Sequence, residues 1–403
     1  MLPSISFAAK RLTARSVVQP VAAQFSRSNH FNSLSSLFAA RPSITSATSF
    51  GPRIMSVPAS HYAAKGQDGP APARPSSSVV LLSPSNDVLL LHRVQTSSSF
   101  ASAHVFPGGN VDPFHDGEAP PIGDPKRHED SEVYRMCAIR ETFEETGILL
   151  AKKDGKLIDV PEKVREETRK LVHGNKIKFG DWVKSLGAEP DTAGLLPFTR
   201  WITPLPMPKR FTTQMYLYML PLTRGSNVPS KMLIPTADGG VEHTAALFGS
   251  PAEFLRQSLN KSIVLFPPQV YLLDIVAKFT GGKMGALEEE TRRFMNQRRK
   301  LTAYLKKTPT VDTEKGKEHP TANISWGDKV MSPVHLLVRE SDKRVVLALE
   351  KPGLELKGTD RGGDYERVVL VNFGKGGPTN VEVRLREDVL EEERKNGGDK
   401  SKL

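Results

Sequence analysis

The stretch AIRETFEETGILL, Ala138 to Leu150, constrains this chain more than any other. Glu141, Glu144 and Glu145 stand at i, i+3 and i+4, so in a helix all three project from one face. Like charges at that spacing repel by about a few tenths of a kcal/mol per pair unless a cation offsets them. A helix that keeps all three raises the question of a bound metal. The reading is a helix from about Glu132 to Thr146, stopped at its C-terminus by Gly147.

The rest of the 403 residues suits one large domain or two ordinary ones, and 38% hydrophobic residues suffice for a real core. The longest apolar run, SIVLFPPQVYLLDIVAKF, is broken by Pro267 and Pro268, so no membrane span is expected. The net charge of +11 is unevenly placed. Residues 1 to 67 hold seven Lys or Arg and no acid, which leaves 49 basic against 45 acidic residues elsewhere. A nearly balanced body argues against a broad nucleic-acid-binding face. Cys137 is the single cysteine, which rules out an internal disulfide and reads as a small core residue.

Along the chain, residues 1–75 read as a targeting arm and linker, Arg- and Ser-rich at first and Pro/Ala/Ser-rich at the end. VVLL (79–82) and VLLLHRV (88–94) predict a hairpin, and HVFPGGNVD a short strand running into a glycine turn. The polar, proline-containing stretch 113–130 reads as a loop outside any metal site. Helices are expected near 161–173 and 178–186, and strands near 195–204 and 211–222. Further helices are expected after a capping box at Ser250, after Pro267 and Pro268, and over 285–306. The first domain is therefore placed at 76–308, with a linker at 309–325. A small β-rich extension follows at 326–390, then a flexible tail at 391–403.

Glu132 lies eight residues before Arg140, and FPGG, Phe106 to Gly109, stands farther upstream. A glycine, a spaced glutamate and R-E-x-x-E-E-x-G form the signature of the nudix hydrolases, and from Glu132 through Ile148 the chain resembles that family. Two positions depart from the family pattern. Gly109 to Glu132 spans 23 residues, an insertion of 17, and Thr142 stands where an aliphatic residue is usual. An insertion in a loop costs only about 0.6 kcal/mol per doubling of length.

The resemblance implies an α/β fold, a nudix α/β/α sandwich with a mixed sheet, here followed by the β extension. It also implies hydrolysis of a diphosphate bond with Mg²⁺ or Mn²⁺. Hard divalent cations prefer carboxylate oxygens, which the glutamate face supplies. Glu141 and Glu145 are the first candidate ligands and Glu144 a third. Arg140, Glu141 and Glu145 are the candidate catalytic set. Arg140 orients a glutamate or holds the loop by a bidentate ion pair. Gly108 and Gly109 are expected on the substrate side.

LLLHRVQTSSSFASAHVFPGG, RWITPLPMPKRFTTQMYL and SIVLFPPQVYLL resemble the mitochondrial and peroxisomal nudix group that hydrolyses coenzyme A and acyl-coenzyme A. That group also carries an insertion inside the box. The resemblance makes Arg93, Lys209 and Arg210 candidates for the phosphates of the adenosine half. It makes Glu242 a candidate for an extra carboxylate opposite the helix, and leaves His92 and His104 as structural residues. The expected products are 3′,5′-ADP and a phosphopantetheine. NADH, ADP-ribose or a capped RNA end are alternative substrates. A binding module that has lost catalysis is a rival, but no ligand of R-E-x-x-E-E is lost here. For address, the acid-free arm resembles a mitochondrial presequence, and Ser401-Lys402-Leu403 matches the tripeptide read by the peroxisomal import receptor. Translation from Met55 would leave only the second signal.

Overall fold

The computed structural model describes residues 71–94, 102–205, 207–222, 235–236, 243–282 and 287–399. The arm before residue 71, Glu242 and Ser401-Lys402-Leu403 lie outside the described residues.

The expected hairpin is present as β1 (Arg74–Leu82) and β2 (Val88–Arg93). Then come β3 (His104–Val105), β4 (Gly108–Asn110), the one-turn helix α1 (Pro113–Asp116) and the acidic helix α2 (Glu132–Thr146). A small antiparallel sheet of β5 (Ala151–Lys153), β6 (Lys156–Leu157) and β7 (Glu189–Pro190) brackets α3 (Glu162–His173) and α4 (Phe179–Ser185). Next are β8 (Leu196–Ile202), β9 (Phe211–Met219), β10 (His243–Gly249), α5 (Pro251–Leu259), α6 (Pro267–Ala277) and α7 (Leu287–Lys306). At α5 the helix starts where expected, but Ser250 makes no side-chain cap and Glu253 pairs with Arg256 instead.

The main sheet runs β10-β2-β1-β9-β8, with β3 beside β2 and β4 beside β1. β1 pairs with β9 in parallel, whereas β8–β9 and β10–β2 are antiparallel, so the sheet is mixed. Both of its faces are buried, which explains why VVLL and VLLL read as unbroken apolar runs rather than alternations. Val79, Leu81, Leu89, Leu91, Tyr216 and Tyr218 point to one side. There they pack on Tyr134, Ala138, Ile139 and Phe143 of α2 and on Phe179 and Val183 of α4. Val80, Leu82, Val88, Leu90, Met215 and Leu217 point to the other, against α6 and α7. The result is a three-layer α/β/α arrangement.

The C-terminal third adds α8 (Glu314–Lys317), β11 (Val330–Met331), β12 (Val334–Val338), β13 (Val345–Leu349), β14 (Asp364–Gly374), β15 (Gly377–Leu385) and α9 (Arg386–Asp399). β11 joins the main sheet beside β8, in parallel. β12 to β15 form a four-stranded antiparallel sheet, as the alternating runs predict. The polar segment 309–325, read as a linker, is packed and hydrogen-bonded. Glu366 accepts from the Asp312 and Thr313 N–H groups, and buried Lys329 donates to the Thr321 and Gly363 carbonyls. Residues 391–399, read as a flexible tail, continue α9, where Glu392 bonds Arg339 and Arg384.

Candidate active site

α2 lies across β1, with Ser77 Oγ donating to the Tyr134 carbonyl at 2.7 Å. Gly147 ends it in the left-handed region at φ +74, its N–H bonded to the Phe143 carbonyl. Thr142 is fully buried, and its hydroxyl is satisfied by the Ala138 carbonyl one turn back at 2.7 Å. A threonine therefore fits a position that an aliphatic residue would otherwise fill. Cys137 is buried against β4, and burial pushes its thiol well above the ordinary value. That suits a core residue and not a nucleophile.

Beside α2 runs β4. A Cβ on Gly108 would fall 2.2 Å from the Ser77 carbonyl oxygen, and one on Gly109 2.5 Å from the Glu141 carboxylate. Only glycine lets the two backbones and the carboxylate approach this closely. The Gly108 N–H donates to Glu145 Oε2 at 2.8 Å. Thus the FPGG turn and the glutamate face, 32 to 37 residues apart in sequence, meet directly.

Arg140 is buried at the centre. Its Nε and Nη2 grip Asp116 at 2.9 and 2.8 Å, and Nη2 also reaches the Asn110 carbonyl at 2.9 Å. Nη1 donates to Glu141 Oε1 at 3.0 Å and to Glu144 Oε1 at 2.8 Å. Burial opposes its charge, yet Glu141 and Asp116 hold the guanidinium well above the ordinary arginine value. Burial lifts the Glu141 carboxyl to about 7, which Arg140 offsets only in part because Glu144 and Asp116 add repulsion. Glu144 Oε2 lies 3.2 Å from His173 Nδ1, so both of its oxygens have partners. Glu132, in the first turn of α2, is exposed and away from this group.

Among the described residues, no three acidic, histidine or cysteine side chains are arranged as a preformed metal cage. The donors nevertheless suit a hard divalent cation. Asp116, Glu141 and Glu144 all pair with the Arg140 guanidinium, and Glu145 lies one turn along α2 from Glu141, so carboxylate oxygens gather in a poorly hydrated place. Glu141 and Glu145 lie one turn apart beside Gly108 and Gly109, whereas the two Glu144 oxygens face Arg140 and His173.

The substrate-side residues divide. Arg93 ends β2, half-buried, with its N–H on the Ala103 carbonyl at the strand that leads into Gly108. Lys209 is exposed at the turn before β9. Arg210 does not stand open to a phosphate as expected. It is 3% exposed, bonds the Thr203 and Ala71 carbonyls and pairs with Glu355 at 2.6 Å. Its chain neighbour Phe211 registers with Arg74, four residues along β1 from the Ser78–Gly108 pair, roughly 13 Å at about 3.3 Å per residue. The His92 and His104 rings lie 4.7 Å apart between centroids, tilted by 30°.

The loop 113–130 is where sequence reasoning went astray. It contains α1, capped by Asp112, and a helical turn at Pro125–His128, and it delivers Asp116 into the site. His115 is clasped by Asn175, the Val172 carbonyl and the Phe179 N–H. Arg200, fully buried over the Tyr134 ring at 4.3 Å, holds the Glu129 carbonyl. The only available signal was the D-P-F-H-D cluster at 112–116, a capping aspartate before a proline.

Residues 123–276 match the family model described as the NUDT19 Nudix domain. The acyl-coenzyme A diphosphatase NUDT19 of Gallus gallus is 27% identical over 267 residues, 54% of this chain and 66% of its own. Its counterpart in Xenopus laevis is 28% identical over 48% of this chain and 60% of its own. The chain thus spans no more than about two thirds of the length of these curated relatives. A crystal structure of a nudix hydrolase from Alicyclobacillus acidocaldarius matches 51% of the chain and 91% of its own, with 21% identity and a TM-score of 0.41.

Proposed function

We propose that the chain, whose residues 123–276 match the NUDT19 Nudix domain model and which is similar to acyl-coenzyme A diphosphatases, is a nudix hydrolase that cleaves the diphosphate of coenzyme A or its thioesters. The products are 3′,5′-ADP and (acyl-)phosphopantetheine. The observation that carries the proposal is the meeting of Gly108 and Gly109 with Glu145 and Glu141 around Arg140.

Nudix hydrolases generally use divalent metals, and Glu141 and Glu145 are the side chains that would hold one here. When bound, the cation supplies positive charge to the diphosphate oxygens. The chain's own residues do the rest. Arg140 keeps Glu141 and Glu144 side by side despite their repulsion. Gly108 and Gly109 let the β4 backbone close up on the Glu141 and Glu145 carboxylates, which fixes where those carboxylates stand. Burial of Glu141 limits competition from water, which strengthens every charge interaction at the site. Water is the nucleophile, and catalysis rests on positioning and electrostatics.

The experiment is a panel of coenzyme A, acetyl- and long-chain acyl-coenzyme A, NADH, ADP-ribose and capped RNA, assayed with Mg²⁺ and with Mn²⁺, products identified by mass. Release of 3′,5′-ADP from coenzyme A or its thioesters, at higher kcat/KM than AMP release from NADH or ADP-ribose, is expected. A reversed order would reassign the substrate, and no turnover of any would remove the enzymatic reading.

A further inference from the structure

Resting on the reading just given, we propose that Asp116, brought in by the insertion, is a positioning residue that sets the glutamate face through Arg140. Arg140 has five N–H donors, and every one has an acceptor. Two go to Asp116 in a bidentate grip, which fixes the plane of the guanidinium. The remaining edge then presents Nη1 to Glu141 and Glu144 in one orientation. Without Asp116 that edge of the fork keeps only the Asn110 carbonyl, so the guanidinium can tilt and the two glutamates lose the fixed cation that holds them together.

Asp116 is well placed for this because it is itself immobilised. Its side chain is fully buried, and Oδ2 also accepts the Asp112 N–H at 2.9 Å. Asp112 caps α1 and is held by the Asn175 amide at 3.1 Å. His115, the residue before Asp116, is clasped from three sides by α3, the turn after it and α4. The orientation of Arg140 is therefore anchored in parts of the chain about 60 residues downstream of α1, through contacts independent of α2. This makes the insertion part of the site's construction.

The test uses the full chain with Mn²⁺ as the probe, free ion read by electron paramagnetic resonance, circular dichroism as the check on folding, and kcat and KM for coenzyme A alongside. Asp116→Asn should weaken Mn²⁺ binding by about tenfold or more, and lower kcat more than it changes KM. Asp116→Glu restores the charge at the wrong reach and should show the same loss, whereas a purely Coulombic role would leave it like wild type. In an Arg140→Lys background Asp116→Asn should add less than about twofold, since the fork it orients is gone. Mn²⁺ affinity of Asp116→Asn within about twofold of wild type, including a wild type that binds none, overturns the inference. Full retention by Asp116→Glu does so too. If neither variant folds, Asn175→Ala decides, because it loosens α1 without touching Arg140: weaker Mn²⁺ binding supports the inference and unchanged binding overturns it. A wild type that leaves coenzyme A intact sinks the functional reading while the Mn²⁺ comparison still judges Asp116.

Discussion

A methyl group at residue 109 has nowhere to go, because it would sit 2.5 Å from the Glu141 carboxylate. Gly109→Ala should therefore leave the fold largely intact, since the side chain can swing away, but displace Glu141 from Arg140. We expect kcat to fall by about 10²-fold, with a near-native circular dichroism spectrum. Wild-type kcat in that variant would show that the Glu141 position is unimportant. Glu145→Gln is the complementary change. It keeps an oxygen for the Gly108 N–H but removes one negative charge, so turnover should drop by about 10²-fold or more at saturating Mg²⁺. More than about a tenth of wild-type rate would count against Glu145 as a ligand. Both residues stand out in the sequence because helical spacing places the glutamates and the turn requires the glycines. Asp116 could not be found that way, since a buried acid that answers an arginine 24 residues on leaves no periodic trace.

At the level of elements, hydrophobic period was a dependable guide wherever an element buries a regular face. It located the β1–β2 hairpin, α2 to α4, and all four strands of the C-terminal sheet. It misled where polar groups are satisfied by one another, as in the 113–130 insertion and in 309–325. Most residues of both segments are exposed or half-buried, but each places a few buried polar groups, such as Asp116, His128 and Thr310, whose hydrogen bonds hold it in place. Trimming residues 114–128 is accordingly expected to be costly. It removes Asp116 from Arg140 and His128 from Thr212, and breaking a buried charge pair alone costs roughly 3–5 kcal/mol. The shortened protein should unfold at markedly lower urea and show no turnover. A trimmed enzyme with wild-type stability would contradict the anchoring described here.

At the scale of the whole molecule, the two sheets share one core. Leu347, Leu349, Val369, Val371 and Val381 pack in the same cluster as Trp201, Leu217 and Leu273, and the Tyr271 hydroxyl donates to buried Asp364 at 2.6 Å. A chain cut after Lys306 would leave that face bare and should be insoluble. Recovery of a soluble, cooperatively melting fragment would mean the first sheet stands alone. Two histidines, His128 buried and His104 half-buried, set a pH response. Burial and the neighbouring His92 lower His104 to about 4, and burial and Arg200 lower His128 to about 4, from 6.5. The unfolded chain takes up these protons first as pH falls below 6.5, while the folded state refuses them until about 4. Stability is thus complete above 6.5 and declines toward 4. The urea midpoint should fall between pH 7 and pH 5, and His128→Gln should reduce that fall. A midpoint constant over this range would refute it.

The parallel pairing of β1 with β9 also fixes an order of events in time. Arg74 registers with Phe211, so β1 leaves the ribosome 137 residues ahead of the strand it needs. At about 5–20 residues per second that is a wait of roughly 7–27 s, with the β9 edge of VVLL unpaired and only β2, β4 and α2 in place around it. The far face of the sheet waits longer still, for Val369 and Val381. Folding to completion is therefore a property of the finished chain. A nascent chain stalled near residue 200 should be held by chaperones and cut readily by protease, and one released past residue 385 should resist both.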